Sequence, residues 1–486
     1  MKNPGKNKVV KNFIWRLLER TGAQVVAFIV SLFLARMLDP SVYGTVAIVT
    51  VLTNIMQVFI DGGMANALIQ KKNADDTDFS TVFYFNATLC LILYGLMFLA
   101  APLIASFYGK PELTAIVRVL SLTLVVSGVK NVQQAYVSRH MIFKRFFFAT
   151  VGGTVGAAVV GIIMAVMGFG VWALVLQHLL NAVVDTVILW ITVKWRPKWV
   201  FSWERLKGLF SYGWKLLVSG LLEAVYNDLR QLIIGKFYSS ADLAYFNKGK
   251  QFPQLIVNNV NISIDSVLLP TISAEQDNIV RVRGMTRRAI KTSTYIMAPL
   301  MMGMSFVAEP LVRLLLTEKW LPCVLYLRIF CITYMFYPIH TSNLNAIKAL
   351  GRSDLFLKLE VLKKGIGVVV LSATMWFGVE AMAYSLLLTS VTSQIINSWP
   401  NQKLLNYSYF DQLKDILPGI ALALAMGVCV YFVSYLGLND VLTLLIQIPL
   451  GAAIYIGGSA LFKLEAYAYA MGLIKSFAGK LLRRKK

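Results

Sequence analysis

Asn54-Ile55-Met56-Gln57-Val58-Phe59-Ile60-Asp61 closes one long apolar run, and Asn258-Asn259-Val260-Asn261-Ile262-Ser263-Ile264-Asp265 lies in another, 204 residues further on. In both, amide and carboxylate side chains recur at steps of three and four, so each set forms a single stripe along an otherwise apolar helix. Polar groups immersed in hydrocarbon cost a few kcal/mol each and therefore face protein or water. Their appearance twice at one offset points to a duplicated α-helical membrane fold.

Composition agrees with that reading. The 486 residues are 57% hydrophobic and 15% charged, with a mean hydropathy of +0.65, whereas a soluble domain carries roughly a quarter charged residues. Apolar runs of about 20 residues, enough to span hydrocarbon, recur from Val25 to Leu461. They predict about fourteen transmembrane helices, near 13–37, 42–60, 80–107, 113–134, 147–168, 170–193, 209–235, 243–270, 292–316, 321–347, 357–377, 379–400, 416–436 and 441–461. A membrane β-barrel would show short alternating segments instead. The basic N-terminus, Met1–Asn12, is not followed by a short apolar core and small-residue cleavage site, so no signal peptide is expected. Cys90, Cys323, Cys331 and Cys429 fall in or beside apolar runs without metal or disulfide spacing, and packing is their expected role.

The net charge of +23 is mostly a topology signal rather than a nucleic-acid signature. About thirty of the 47 Lys and Arg lie in segments on the side of the N-terminus, and Arg36, Lys110, Lys236 and Lys319 mark the opposite ends. This bias predicts cytoplasmic termini, with the basic tail Leu482–Lys486 against anionic phospholipids. Nucleic acid is not an expected partner.

The duplication extends beyond the two stripes. Gly95, Phe98, Ala100, Pro102 and Leu103 match Gly303, Phe306, Ala308, Pro310 and Leu311 at an offset of 208, and Arg118 matches Arg328 at 210. Gly170-Val171-Trp172-Ala173 opens the sixth span as Gly378-Val379-Glu380-Ala381 opens the twelfth. Six spans per repeat is an even number, so the repeats are parallel. The expected organisation is a lobe over 1–193, a cytoplasmic linker over 194–208, a second lobe over 209–400, and two added helices with a basic tail over 401–486.

Four spans carry continuous polar faces. The first has Arg16, Glu19, Arg20 and Gln24; the second Asn54, Gln57 and Asp61; the seventh Lys215, Glu223, Asn227 and Arg230; the eighth Lys250, Asn258, Asn261 and Asp265. The expectation is a wet cleft between lobes. Arg16, Arg20, Gln24, Asn54, Gln57, Lys215, Asn227, Arg230, Lys250, Asn258 and Asn261 are candidates for holding an anionic headgroup, because cationic and amide groups suit phosphate and carboxylate oxygens. Glu19, Asp61, Glu223 and Asp265 are candidates for coupling to a proton or sodium ion. The bland alternatives are snorkelling for Arg16, Glu19 and Arg20, a Glu223–Arg230 ion pair, and helix-end hydrogen bonding for Asp61 and Asp265. Arg118, Lys130, Arg313, Arg328, Lys363, Lys364 and His340 read as isolated polar groups at depth. The three histidines share no metal-ligand spacing, so no metal is expected. Gly152, Gly153, Gly156 and Gly161 suit close helix packing, and Asp75, Asp76 and Asp78 suit a helix cap rather than a catalytic cluster. Asn86-Ala87-Thr88 is a sequon only by coincidence of composition.

The stretch Leu34-Ala35-Arg36-Met37-Leu38-Asp39-Pro40-Ser41-Val42-Tyr43-Gly44 resembles the ARxLxPxxYG turn of the polysaccharide transporter branch of the MOP flippase superfamily, the Wzx-type oligosaccharide flippases. Asp61-Gly62-Gly63, Ala67-Leu68-Ile69-Gln70, the segment Lys236–Tyr245, Pro270, Ala308-Glu309-Pro310-Leu311 and Trp320 follow in the same order, and the likeness is nearest to the WzxC-like lipopolysaccharide and colanic-acid group. The resemblance implies alternating-access flipping of undecaprenyl-diphosphate-linked repeat units for capsule, exopolysaccharide or O-antigen assembly, beside a polysaccharide polymerase and export machinery. It transfers no individual site residue. The competing expectations are a cation-coupled multidrug antiporter, which wants acidic cleft residues, and a membrane glycosyltransferase or polymerase, which wants large external loops. No phosphate-binding glycine loop occurs, so neither ATP nor another cofactor is expected.

Overall fold

The computed structural model describes residues 6–61, 64–71, 74–140, 142–469 and 471–472. Its helices are α1 (Lys6–Met37), α2 (Pro40–Asp61), α3 (Met64–Gln70), α4 (Asp76–Tyr108), α5 (Leu113–Leu120), α6 (Leu122–His140), α7 (Phe143–Val166), α8 (Val171–Thr192), α9 (Trp203–Phe237), α10 (Ser240–Ser273), α11 (Ile279–Phe306), α12 (Ala308–Leu316), α13 (Cys323–Met335), α14 (Tyr337–Ala349), α15 (Ser353–Thr374), α16 (Val379–Leu405), α17 (Tyr409–Phe432) and α18 (Asp440–Leu461). No strand occurs among the described residues. Each expected span coincides with a helix, or with a pair broken at one position: α5 with α6 at Ser121, α11 with α12 at Val307, and α13 with α14 at Phe336.

Among the described residues, ten spans are long and apolar enough to cross a membrane, and the α11–α12 pair, bent by 69°, supplies an eleventh. This is a multi-pass membrane protein. The spans below that threshold are α9 and α15, whose charges dilute their apolar surface, and α1, whose part Gly22–Met37 is a shorter apolar helix. Every backbone group inside such a helix is satisfied within it, which hydrocarbon requires.

Helix ends follow local chemistry. Asp75 caps α4 by accepting from the Asp78 amide at 3.0 Å while Asp78 accepts from the Asp75 amide at 3.2 Å, and Gly109 ends the helix at φ 65°. The expected cap is therefore present. Ser408 and Asp411 make the same reciprocal box on α17. Pro253 and Pro270 both lie inside the uninterrupted α10.

The chain forms two compact units, Met1–Ala244 and Tyr245–Lys486. In the first, α6 packs on α4 and α8, α8 on α7, α7 on α1, and α2 lies against α6 and α9. In the second, α14 packs on α11 and α16, α16 on α15, and α17 runs along α11 with α18 against it. The neighbour chain α4–α6–α8–α7 thus returns as α11–α14–α16–α15, and α6 and α14 both begin at a break in their span. The glycines of α7 meet α8 as expected. A Cβ on Gly153 would come within 3.0 Å of the Asn181 carbonyl and Asp185, and one on Gly161 within 3.0 Å of Gln177.

Gly44 explains why the tyrosine-glycine turn needs its glycine. A Cβ there would sit 1.7 Å from the Ser240 carbonyl oxygen, so only a bare backbone lets α2 meet the start of α10. Tyr43 donates its hydroxyl to the Ser31 carbonyl at 3.3 Å, joining the turn to α1.

Candidate functional site

Within the first unit, α2 and α9 run antiparallel. A Cβ on Gly220 would meet Val58 at 3.0 Å and one on Gly235 would meet Ile48 at 2.9 Å. This pairing sets Asn54 and Gln57 of α2 level with Glu223 and Asn227 of α9. Asn54, Glu223 and Asn227 are exposed and Gln57 is half-buried, so both helices carry an accessible polar band at this level. Asn227 Nδ2 donates to Glu223 Oε1 at 3.0 Å, and Gln57 Nε2 to Asp61 Oδ1 at 3.2 Å. Arg230 and Gln24 are half-buried on α9 and α1. The side chains of Arg16, Glu19, Arg20 and Lys215 lie outside the described residues, as does the basic tail.

Within the second unit, α10 presents Asn258 and Asp265 exposed, with Lys250 and Asn261 half-buried. Asn261 Oδ1 accepts from Thr341 Oγ1 at 3.2 Å, and Asp265 Oδ1 accepts from Asn345 Nδ2 at 2.7 Å. The first unit holds the counterpart: Asp61 Oδ1 accepts from Asn131 Nδ2 at 2.8 Å. A carboxylate at corresponding positions of α2 and α10 is therefore bound by an asparagine at corresponding positions of α6 and α14. Sequence reading missed both asparagines. Arg118 and Arg328 match at 210 ahead of the breaks in their spans, but Asn131 and Asn345 match at 214 behind them, and one extra helical turn hides the register.

Several polar groups that read as isolated have partners. Lys130 bonds Asp185 at 3.0 Å with both side chains mostly buried. Arg313 pairs with Glu309 at 3.0 Å and reaches Asp440 at 3.7 Å, and Lys363 pairs with Glu360 at 2.6 Å. The Arg118 guanidinium lies 4.3 Å over the Phe98 ring, Arg328 Nε donates to the Ser305 carbonyl at 3.2 Å, and His340 Nδ1 meets Asn397 at 3.1 Å. Pairing is how charge at depth is ordinarily compensated. Each of these contacts lies within a single unit.

The segment before α9 is latched onto the start of α4. Arg205 bonds Asp75 at 2.5 Å, Lys198 bonds Asp76 at 2.7 Å, and the Lys198 amide donates to Ser80 Oγ at 2.9 Å. The Arg205 hydrogen bond, helped by the Asp78 amide, pulls the Asp75 carboxyl down to about 2. Of the three linker tryptophans, Trp195 is buried in the core with Leu206 and Leu209, while Trp199 is 94% exposed and stacks on Tyr84.

Across residues 33–325 the chain matches the family described as polysaccharide biosynthesis protein. It belongs to that family. It is 24% identical over 314 residues to the succinoglycan biosynthesis transport protein ExoT of Rhizobium meliloti (strain 1021), covering 64% of this chain and 63% of that protein, a little under two thirds of its length. It is 24% identical over 391 residues to the lipopolysaccharide biosynthesis protein WzxC of Escherichia coli (strain K12), covering 79% and 76%. The family expected from the turn at Leu34–Gly44 is thereby borne out. Among solved structures, the lipid II flippase MurJ in an inward closed conformation superposes with a TM-score of 0.76 at 14% identity, covering 92% of this chain and 98% of that one. An inward-facing MATE multidrug resistance transporter of the MOP superfamily gives 0.62 at 17%, covering 78% and 94%. The fold is the one that MurJ and MATE transporters share.

Proposed function

We propose that the chain is a flippase that moves undecaprenyl-diphosphate-linked oligosaccharide repeat units from the cytoplasmic to the periplasmic leaflet of a bacterial inner membrane, by alternating access of two lobes, for exopolysaccharide, capsule or O-antigen assembly. The observation that carries this reading is the accessible polar band of Asn54, Gln57, Glu223 and Asn227, with Arg230 a turn beyond it, on helices otherwise made for hydrocarbon. Amides and guanidinium suit sugar hydroxyls and phosphate oxygens. The headgroup crosses along this band, while the polyprenyl tail stays in lipid. Both termini face the cytoplasm, where the basic tail meets anionic phospholipids. A proton or sodium ion drives the cycle, and polymerase and export machinery receive the product. The same fold serves drug antiporters, but ExoT and WzxC are named for polysaccharide and lipopolysaccharide biosynthesis, which favours the saccharide reading.

Deleting the gene should abolish one surface polysaccharide and accumulate its lipid-linked unit in the inner leaflet, and wild-type protein should restore export. Arg230→Ala and Glu223→Ala, at wild-type membrane levels, should each lower export at least tenfold. Unchanged export in both would take these residues out of the pathway, and unchanged polysaccharide in the deletion strain would overturn the reading itself.

A further inference from the structure

The linker before α9 is fastened to the first unit along one side. Gln133 Nε2 donates to the Trp195 carbonyl at 3.0 Å and the Ser202 amide donates to Thr81 Oγ1 at 3.2 Å, beside the Lys198 bond to Ser80. Three exposed rings follow on its other side, Trp199 and Phe201 of the linker and Trp203 at the start of α9. With Phe85, Leu89 and Ile92 of α4 they border an apolar cleft of about 550 Å³. Trp199 stacks on Tyr84 at 5.6 Å and Phe201 meets Trp203 edge-on at 5.2 Å, so the rings hold one another in place. From Ile92 an exposed stripe of Leu96, Leu99 and Leu103 continues along α4 at steps of three and four, which opens the cleft to hydrocarbon. Tryptophan, with an apolar ring and a polar tip, settles at the boundary between hydrocarbon and headgroups, and here two stand where the chain leaves α8 and enters α9.

The rim of the cleft is cationic. Lys198 and Arg205 are matched by Asp76 and Asp75. Arg196 and Lys207 are not: among the described residues no carboxylate, the neighbouring Glu204 included, lies within ion-pair distance of either. Arg196 is held in place by donating to the Val193 and Trp195 carbonyls at 2.6 and 2.7 Å, with its guanidinium 5.0 Å over the Trp190 ring. Trp190 meets Phe83 at 5.9 Å and Phe83 meets Tyr84 at 5.5 Å, so a row of rings joins this cation to the cleft. Lys207 is exposed one turn beyond Trp203, on the same face of α9. We propose that the cleft binds one anionic phospholipid of the phosphatidylglycerol class, its acyl chain against Phe85, Leu89 and Trp199 and its phosphate drawn to Arg196 and Lys207. Guanidinium and ammonium groups suit phosphate oxygens, and two unmatched cations favour a headgroup of net negative charge over a zwitterion. Seated there, the lipid bridges the linker and α4 and adds to the bonds from Asp75 and Asp76. A lipid-linked saccharide is a poorer occupant, because no amide side chain lines the cleft to receive sugar hydroxyls. The site shares no residue with the band of Asn54, Gln57, Glu223 and Asn227, and phospholipid binding is measured without lipid-linked saccharide, so it stands or falls apart from the transport reading.

The test is titration of the purified full-length protein in detergent with phosphatidylglycerol brominated along its acyl chains, followed by quenching of tryptophan fluorescence. Brominated phosphatidylcholine is the zwitterionic control. A saturable component should appear with phosphatidylglycerol at about tenfold lower concentration than with phosphatidylcholine. Native mass spectrometry at that concentration should find one phosphatidylglycerol retained per chain. Arg196→Gln combined with Lys207→Gln should remove the preference for the anionic lipid and leave weak quenching by both. Thr88→Phe, at an exposed position of α4 bordering the cleft, fills it and should abolish the saturable component in a protein whose size-exclusion profile and helical circular dichroism match wild type. Removal of residues 482–486 should leave the preference intact. Equal affinity for the two lipids, a preference unchanged in the double variant, saturable quenching that survives Thr88→Phe, or a preference lost with the basic tail would each overturn the proposal.

Discussion

Asp185→Asn should destabilise the protein by about 3–5 kcal/mol, the usual cost of removing one member of a buried ion pair. The Lys130–Asp185 contact is 3.0 Å, and the side chains are 19% and 13% exposed. At that distance and an effective dielectric near 20, the gross attraction is about 5 kcal/mol. The substitution keeps shape and removes charge, leaving the lysine ammonium wedged between α6 and α8. Lys130→Met combined with Asp185→Leu removes both charges and should recover most of the loss, to within about 1–2 kcal/mol of wild type. Reversible unfolding in mixed micelles, followed by helical circular dichroism, gives the four corners of the double-mutant cycle. Additive single and double variants, or an Asp185→Asn protein within about 1 kcal/mol of wild type, would refute the claim that this pair holds α6 against α8.

Two other perturbations bear on the fold. Gly44→Ala forces a methyl group into the Ser240 carbonyl, and overpacking of this kind costs about 1–3 kcal/mol or more, so membrane level and thermal stability should both fall; an unaffected protein would mean that the turn before α10 moves aside freely. The Asp75 latch should be indifferent to mild acid: its carboxyl is held at about 2 by Arg205, against about 3.9 unfolded, so its contribution is complete above about pH 4 and fades only as pH falls toward 2. Asp75→Asn should instead loosen the linker at neutral pH, read as faster tryptic cleavage after Lys198 or Arg205, and equal cleavage in variant and wild type would dismiss the latch.

Much of this fold is legible in the chain because hydrocarbon leaves few choices. An apolar run of twenty residues has to be helical, and a polar stripe on it has to face something other than lipid, so the spans and the stripes on α2, α9 and α10 could be drawn from periodicity alone. The turn at Tyr43-Gly44 was legible as a family mark, but its cause was not. Nothing in the local sequence says that the Ser240 carbonyl, about two hundred residues away, will fill the space beside Gly44. Partnership was illegible for the same reason. Lys130, Arg313 and Lys363 look alike as cations in apolar runs, yet Lys130 finds its carboxylate on another helix, whereas Arg313–Glu309 and Lys363–Glu360 are short-range pairs that spacing could have suggested, Arg313 also reaching Asp440 of α18. The asparagines beside Asp61 and Asp265 were hidden by one helical turn inserted at a break, a change that shifts sequence register by about four residues while restoring the same helix face.

The duplicated halves have diverged around a carboxylate–asparagine pair that each of them retains. An insertion that did not preserve the face would have turned Asn345 away from Asp265 and left a carboxylate without its donor. A whole turn is among the few lengths that extend a span and still return the asparagine to its partner. Meanwhile neighbouring positions have changed freely, Asn86 to Thr294, amide for hydroxyl, and Gly128 to Ser342, which adds a buried hydroxyl. The paired charges show no such repetition, since Lys130–Asp185 has no ion pair at the corresponding place in the second unit, where the position of Asp185 is taken by Ser393. Structural compensation in this protein is local to each half and replaceable, whereas the open carboxylate with its asparagine is kept in both, which is the pattern expected if the second feature serves the transport cycle and the first only the packing.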